Sequence, residues 1–196
     1  MPFRFNKHKE LEGMHSILSP SKYSWTNYSL ERFEEMFQDK MTTTLGTRLH
    51  ELAKEHILLQ LMMPRNNKTI NKYINDCIGE RMTPEVPLVG YPGVGFGTAD
   101  AIRYDPMKKT LYVFDLKNGT IEAKFTQLMI YGVYFAEEYG FRVGELSYEF
   151  RIYQNDEVRV HQINPEVGGY EDLVNIHSRL MDFGARAIEM QKEAYL

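Results

Sequence analysis

A single cysteine, Cys77, means that no internal disulfide can staple this chain, a usage that suits a reducing compartment. No apolar run reaches the roughly 20 residues a membrane-spanning helix needs, and the polar amino terminus has no signal-peptide core. The expectation is a soluble cytoplasmic protein. Positive charge is also short. The formal net charge of −4 cuts against a wholesale electrostatic grip on phosphates, which relies on a basic face and counterion release. Any such face must be local, and Arg65, Lys68, Lys72, Lys108, Lys109, Lys124, Arg4, Lys7 and Lys9 are candidates that are equally ordinary solvated charges. Internal repeats and low-complexity segments are absent. What is present is 196 residues, enough for one domain that buries roughly 70% of its unfolded surface.

Periodicity sets the order of elements. Apolar residues at 45, 49, 52, 53 and 57 predict a helix from about Met41 to Leu61, and Arg65–Lys68 separates it from a second helical pattern. Met82 to Gly93, with Pro84, Pro87 and Pro92, reads as a loop-rich approach with a short edge strand around Val86–Val89. Residues 96–104 and 110–117 form a strand hairpin, and Asn118-Gly119-Thr120 reads as a turn and N-cap opening a helix from about Glu122 to Tyr139. Leu146–Tyr153 and Val158–Val160 alternate as a second strand pair. Glu171–Ala194 predicts an amphipathic helix with Leu173, Ile176, Leu180 and Phe183 on one stripe. The fold class is α/β (α+β): a mixed central sheet flanked by helices, in one domain spanning 1–196 with an N-terminal helical segment and a C-terminal helix.

The chemistry concentrates in Gly97-Thr98-Ala99-Asp100 and Asp115-Leu116-Lys117. On a strand, Asp115 and Lys117 point to one side and Leu116 to the other. Asp100 joins them only if it opposes Val113 or Asp115 across the hairpin, which demands an even-numbered turn or a bulge. Such a triplet also fits an ordinary polar strand face. His50 falls on a helical line with Gly46, Ala53 and Ile57, at the border of the apolar stripe, and fits either a hydrogen-bonded core histidine or a ligand. Phe125, Leu128, Gly132 and Phe135 form a core stripe of the next helix. Gln127, Tyr131 and Tyr134 run beside it, as amphipathic edge residues or as contacts to a nucleic-acid strand. Glu85 is a further carboxylate whose proline-rich context reads as a solvated loop. Leu18-Ser19-Pro20-Ser21, ahead of Trp25, reads as helix capping and a core anchor.

Taken in order, Leu18-Ser19-Pro20-Ser21, Gly46-Thr47-x-x-His50, Gly97-Thr98-Ala99-Asp100, Asp115-Leu116-Lys117 and Gln127-x-x-x-Tyr131 resemble the PD-(D/E)XK nuclease superfamily. Within it they are similar to the RecB-like and lambda-exonuclease-like branch, over roughly residues 18 to 140. The resemblance implies a restriction-endonuclease-like core and a metal-dependent nuclease. It implies that Asp100, Asp115 and Lys117 are catalytic. His50, Asp100, Asp115 and the Leu116 main-chain carbonyl would be metal ligands, and Gln127 and Tyr131 a DNA-contacting pair. Ala99 stands where the superfamily name has proline, in keeping with the Gly-x-x-Asp form of this branch. Some relatives hold an iron–sulfur cluster on four cysteines, which one cysteine excludes here.

Hard carboxylate donors suit magnesium or manganese, as one or two ions, and His50 tilts the preference toward manganese. The expected function is hydrolysis of DNA phosphodiester bonds, as an exonuclease in recombination, repair or phage DNA processing. A structure-selective endonuclease acting on flaps or branches is the alternative, and a non-catalytic nucleic-acid-binding protein that kept the fold is the further one. DNA is the expected partner. The resemblance adds a single-strand-annealing or other recombination protein and a homo-oligomer, with no membrane.

Overall fold

In the computed structural model, residues 27–194 are described. The Leu18–Ser21 motif, Trp25 and the basic residues Arg4, Lys7 and Lys9 lie outside them. The chain divides into two compact units after Leu45. In the first, Ser29 Oγ accepts the Arg32 N–H at 3.2 Å at the start of helix α1 (Leu30–Leu58), and Phe33 and Phe37 stack one turn apart. α1 thus begins earlier than the apolar periodicity predicts.

The second unit, from Gly46, carries the sheet. Its further elements are α2 (Thr69–Gly79), β1 (Thr83–Tyr91), β2 (Gly95–Asp105), β3 (Thr110–Leu116), α3 (Thr126–Glu138), β4 (Ser147–Gln154), β5 (Glu157–Ile163) and α4 (Tyr170–Ala194). The five strands lie in sequence order. All neighbours are antiparallel except β3 and β4, which run parallel with α3 as their crossover. This is the mixed sheet with flanking helices that the sequence pattern predicts.

β3 is buried almost throughout, so its two faces feed different cores. Leu111 and Val113 join Leu128 and Val133 of α3, Phe150 and Ile152 of β4, and Leu173 of α4. Tyr112, Phe114 and Leu116 join Ala53 and Ile57 of α1, and Tyr73, Ile74 and Cys77 of α2. Gly132 lets α3 lie close on β4, because a Cβ there would meet the Tyr148 ring at 3.1 Å. The β4–β5 turn is a two-residue one, with Asn155 and Asp156 both at positive φ, which matches the right-handed strand twist.

Four sequence expectations shift. β1 is a full nine-residue strand and not a proline-rich loop, and as an edge strand it tolerates Pro84 and Pro87. On α1 the buried line is Gly46, Ala53 and Ile57, while Leu45 and Leu52 are exposed, so His50 lies on the buried line itself. α3 starts at Thr126, not near Glu122. Thr120 does not cap it; Phe125, whose ring has no oxygen to accept a main-chain N–H, stands at the N-cap, and the main chain before it is bound by the Gln154 side chain of β4. Phe183, placed by periodicity on the buried stripe of α4, is exposed, whereas Leu173 is fully buried.

Candidate metal centre

β2 and β3 are joined by Pro106, Met107, Lys108 and Lys109, an even-numbered turn that sets Ile102 against Val113 and Ala101 against Phe114. Continuing that register brings Asp100 opposite Asp115. There the main-chain ladder stops, and the Asp100 carboxylate fills in, its Oδ2 accepting the Leu116 N–H at 3.0 Å. The same oxygen lies 3.4 Å from His50 Nδ1, delivered by the buried line of α1. Across the other side of β2, Pro84 pairs with Ala101 and Val86 with Ala99, which sets Glu85 against Asp100.

Glu85 departs from the sequence expectation of a solvated loop carboxylate. It is half-buried, and one ligand atom from each of His50, Glu85 and Asp100 lies within 4.8 Å of the others. Its backbone is left-handed, at φ 53°, inside a strand. A non-glycine residue held so costs about 1–3 kcal/mol and persists where its surroundings over-determine it, a situation concentrated at functional sites. Nothing in the spacing of Thr83-Pro84-Glu85-Val86 signals this, since the pairing depends on a turn elsewhere in the chain.

Asp115 is the most constrained group, at 2% exposed. Its Oδ1 accepts from Lys117 Nζ at 3.0 Å, and its Oδ2 is buried with no hydrogen-bond partner. Burial, reinforced by the Asp100 charge, pushes the Asp115 carboxyl up to about 6, against the pull of Lys117 and His50. Burial and Asp100 also raise Glu85, while hydrogen bonding to Asp100 raises the His50 imidazole against the opposing effect of burial. Three carboxylates therefore crowd one ammonium and one imidazole. A divalent cation at His50, Glu85 and Asp100 would relieve that repulsion, so these three residues fit a bound metal; Asp115, whose Oδ2 has no hydrogen-bond partner, is not among the three. Leu116 contributes its amide to Asp100 and its side chain to the core.

Lys117 extends the site outward. Its amide donates to Tyr153 O at 2.9 Å, keeping it in line with β3, and its Nζ donates to Gln127 Oε1 at 3.0 Å. Gln127 is exposed at the first turn of α3. Tyr131, one turn on, packs its ring on Gly97 and donates its hydroxyl to Thr98 O at 2.6 Å, two residues before Asp100. Burial raises the Tyr131 phenol, with hydrogen bonding from Gln127 opposing. Tyr134, on the same helical line, is packing: its ring occupies the space beside Gly90. Of the basic candidates, Lys72 donates to Asp156 O at 2.7 Å, and Lys108 and Lys109 sit in the turn at the far end of the hairpin from Asp100.

No family model matches this chain, and no curated protein does. A solved structure titled "Crystal structure of SSO0001" aligns over 82% of this chain and 68% of its own, at 16% identity and a TM-score of 0.36. Among the described residues, no helix is long and apolar enough to cross a membrane.

Proposed function

We propose that the chain is a divalent-metal-dependent DNA nuclease of the PD-(D/E)XK kind, acting as an exonuclease. The observation that carries the reading is Asp115: a buried carboxylate with one oxygen on Lys117 and the other without a hydrogen-bond partner, opposite Asp100 in the continued strand register. A buried structural aspartate is normally satisfied on both oxygens, and a non-catalytic binder has no need of a lysine beside it.

In this reading His50, Glu85, Asp100 and Asp115, with the Leu116 carbonyl, hold magnesium or manganese as one or two ions. When bound, the metal supplies charge stabilisation at the phosphoryl oxygens and an acidified water. Lys117, held between Asp115 and Gln127, orients the attacking water and neutralises charge developing on the phosphate. Gln127 and Tyr131, at the rim formed by α3, contact the strand. Association with a recombination or single-strand-annealing protein, a homo-oligomeric state and a cytoplasmic location belong to the same proposal.

The test is digestion of linear and closed circular DNA, single- and double-stranded, with magnesium or manganese. Release of nucleotides from linear substrates alone is the expected result. Cutting of closed circles establishes the endonuclease instead, and binding without cleavage the inactive binder. Lys117→Ala abolishes cleavage while the protein stays folded and binds DNA; activity equal to wild type at saturating metal overturns the assignment.

A further inference from the structure

The segment from Asn118 to Phe125 has no regular secondary structure, yet its main chain is tied down by β4 and β5. Gln154, the last residue of β4, is 5% exposed. Its Nε2 donates to Gly119 O at 2.6 Å and to Ile121 O at 2.7 Å, and its Oε1 accepts the Ala123 N–H at 3.0 Å. The partners fix the amide's orientation, because two carbonyls require a donor and an N–H requires an acceptor. Arg159 of β5 adds a bond from Nη2 to Ala123 O at 2.6 Å and a pair with Glu122, and its guanidinium lies 5.5 Å from the centre of the Phe125 ring, which His161 also contacts.

This clamp ends where α3 begins. α3 has no side-chain cap, so its starting point is fixed from outside by the bonds to Ala123 and the packing of Phe125. Two residues past Phe125, Gln127 presents the carbonyl that receives the Lys117 ammonium. The Lys117 amide is itself bound to Tyr153, the neighbour of Gln154. The last two residues of β4 thus hold both ends of the connection between Lys117 and Gln127.

We infer that Gln154 is a positioning residue: by fixing the 119–123 main chain it sets the first turn of α3, and so the place where Gln127 meets Lys117. Its consequence for cleavage rests on the nuclease reading, whereas the coupling itself does not. Leucine or methionine there leaves two carbonyls and an N–H unpaired, and glutamate sets a carboxylate against the two carbonyls.

The test uses Gln154→Ala, Gln154→Glu, Gln127→Ala and the double variant Gln154→Ala/Gln127→Ala in the full chain. Amide hydrogen exchange of the metal-free protein is the first readout. Expected in both Gln154 variants is an exchange rise of about tenfold or more across 119–130, with β4 and β5 amides unchanged. Wild-type protection in the first turn of α3 overturns the coupling, as does a loss spread evenly over the whole fold. The second readout is single-turnover cleavage at saturating DNA and metal. Gln154→Ala is expected to be about tenfold slower, with DNA affinity within about twofold of wild type. The double variant is expected to be no slower than Gln127→Ala alone. Losses that multiply show that Gln154 does not act through Gln127 and overturn the inference. A wild-type protein that cleaves no DNA removes the nuclease reading and leaves the coupling to be decided by exchange.

Discussion

Asp100 takes the place of a ladder bond to Leu116: where β2 and β3 part, its Oδ2 accepts the Leu116 N–H at 3.0 Å while facing His50 Nδ1 at 3.4 Å. One carboxylate therefore closes the sheet and opens the site, and the two roles separate by substitution. Asp100→Asn keeps an oxygen for the Leu116 N–H and loses the charge. It is expected to fold with near wild-type stability and to lose metal affinity in calorimetry. Asp100→Ala loses both and is destabilised by a further ~1–2 kcal/mol in urea unfolding of the metal-free protein. Equal stability of the two variants contradicts the structural half of the role; unaltered metal affinity in Asp100→Asn contradicts the other.

Asp115 makes the metal-free protein pH-sensitive. Its carboxyl stands at about 6 in the fold against an ordinary value of 3.8, so the folded state holds the proton more tightly than the unfolded one. Stability from this group is thus gained as pH falls below about 6 and lost as pH rises through it, at a cost of about 3 kcal/mol when ionised and without metal. In chelator, wild type is expected to be more stable to urea at pH 5 than at pH 7, and Asp115→Asn to be the more stable protein at pH 7 with most of that dependence gone. The His50 imidazole and the Glu85 carboxyl are also raised and act in the same direction, so the difference between the two proteins reports Asp115 together with its effect on His50. Parallel pH profiles would show that Asp115 is not the strained group.

Much of this was legible along the chain. The Asp-x-Lys spacing puts two side chains on one face of β3 whatever the tertiary structure, and the parity of the Pro106–Lys109 turn settles whether Asp100 can reach Asp115. Glu85 was not legible, because its place opposite Asp100 arises from β1–β2 pairing and a left-handed residue that no periodicity encodes. Gln154 was equally hidden. It reads as a polar residue at a strand end, and only the fold shows that it binds Gly119, Ile121 and Ala123. The late start of α3 has the same cause: local capping propensity at Thr120 lost to hydrogen bonds from a strand more than thirty residues away in sequence.

His50 stands on the buried line of α1 and against Asp100, so its removal distinguishes ligand from core residue. As a ligand it must be neutral, and since hydrogen bonding to Asp100 raises its imidazole, protons compete with metal. Metal affinity is therefore expected to weaken as pH is lowered through the His50 titration in wild type. His50→Ala should need more metal for activity, lose that part of the pH dependence, and melt at nearly the wild-type temperature without metal. A stability loss in the metal-free protein with an unchanged metal requirement assigns His50 to the core instead.

Tyr131 has two contacts that substitution can divide. Its ring lies on Gly97 and its hydroxyl binds Thr98 O at 2.6 Å, yet it is only half-buried, and its neighbour on the helix face is the exposed Gln127. Tyr131→Phe keeps the ring and gives up the hydrogen bond to β2; Tyr131→Ala gives up both. If the ring stacks on a base of the bound strand, the phenylalanine variant retains DNA affinity while the alanine variant loses about 1–3 kcal/mol of it, with metal affinity the same in both. Gln127→Ala should weaken DNA use as well. If the phenol instead holds β2 in place for Asp100, both Tyr131 variants lose metal affinity and melting temperature while DNA affinity stays. Calorimetry with metal alone, set beside single-strand binding in chelator, separates the two: a loss in the first without a loss in the second makes Tyr131 a support for the ligands and removes it from the strand-gripping pair.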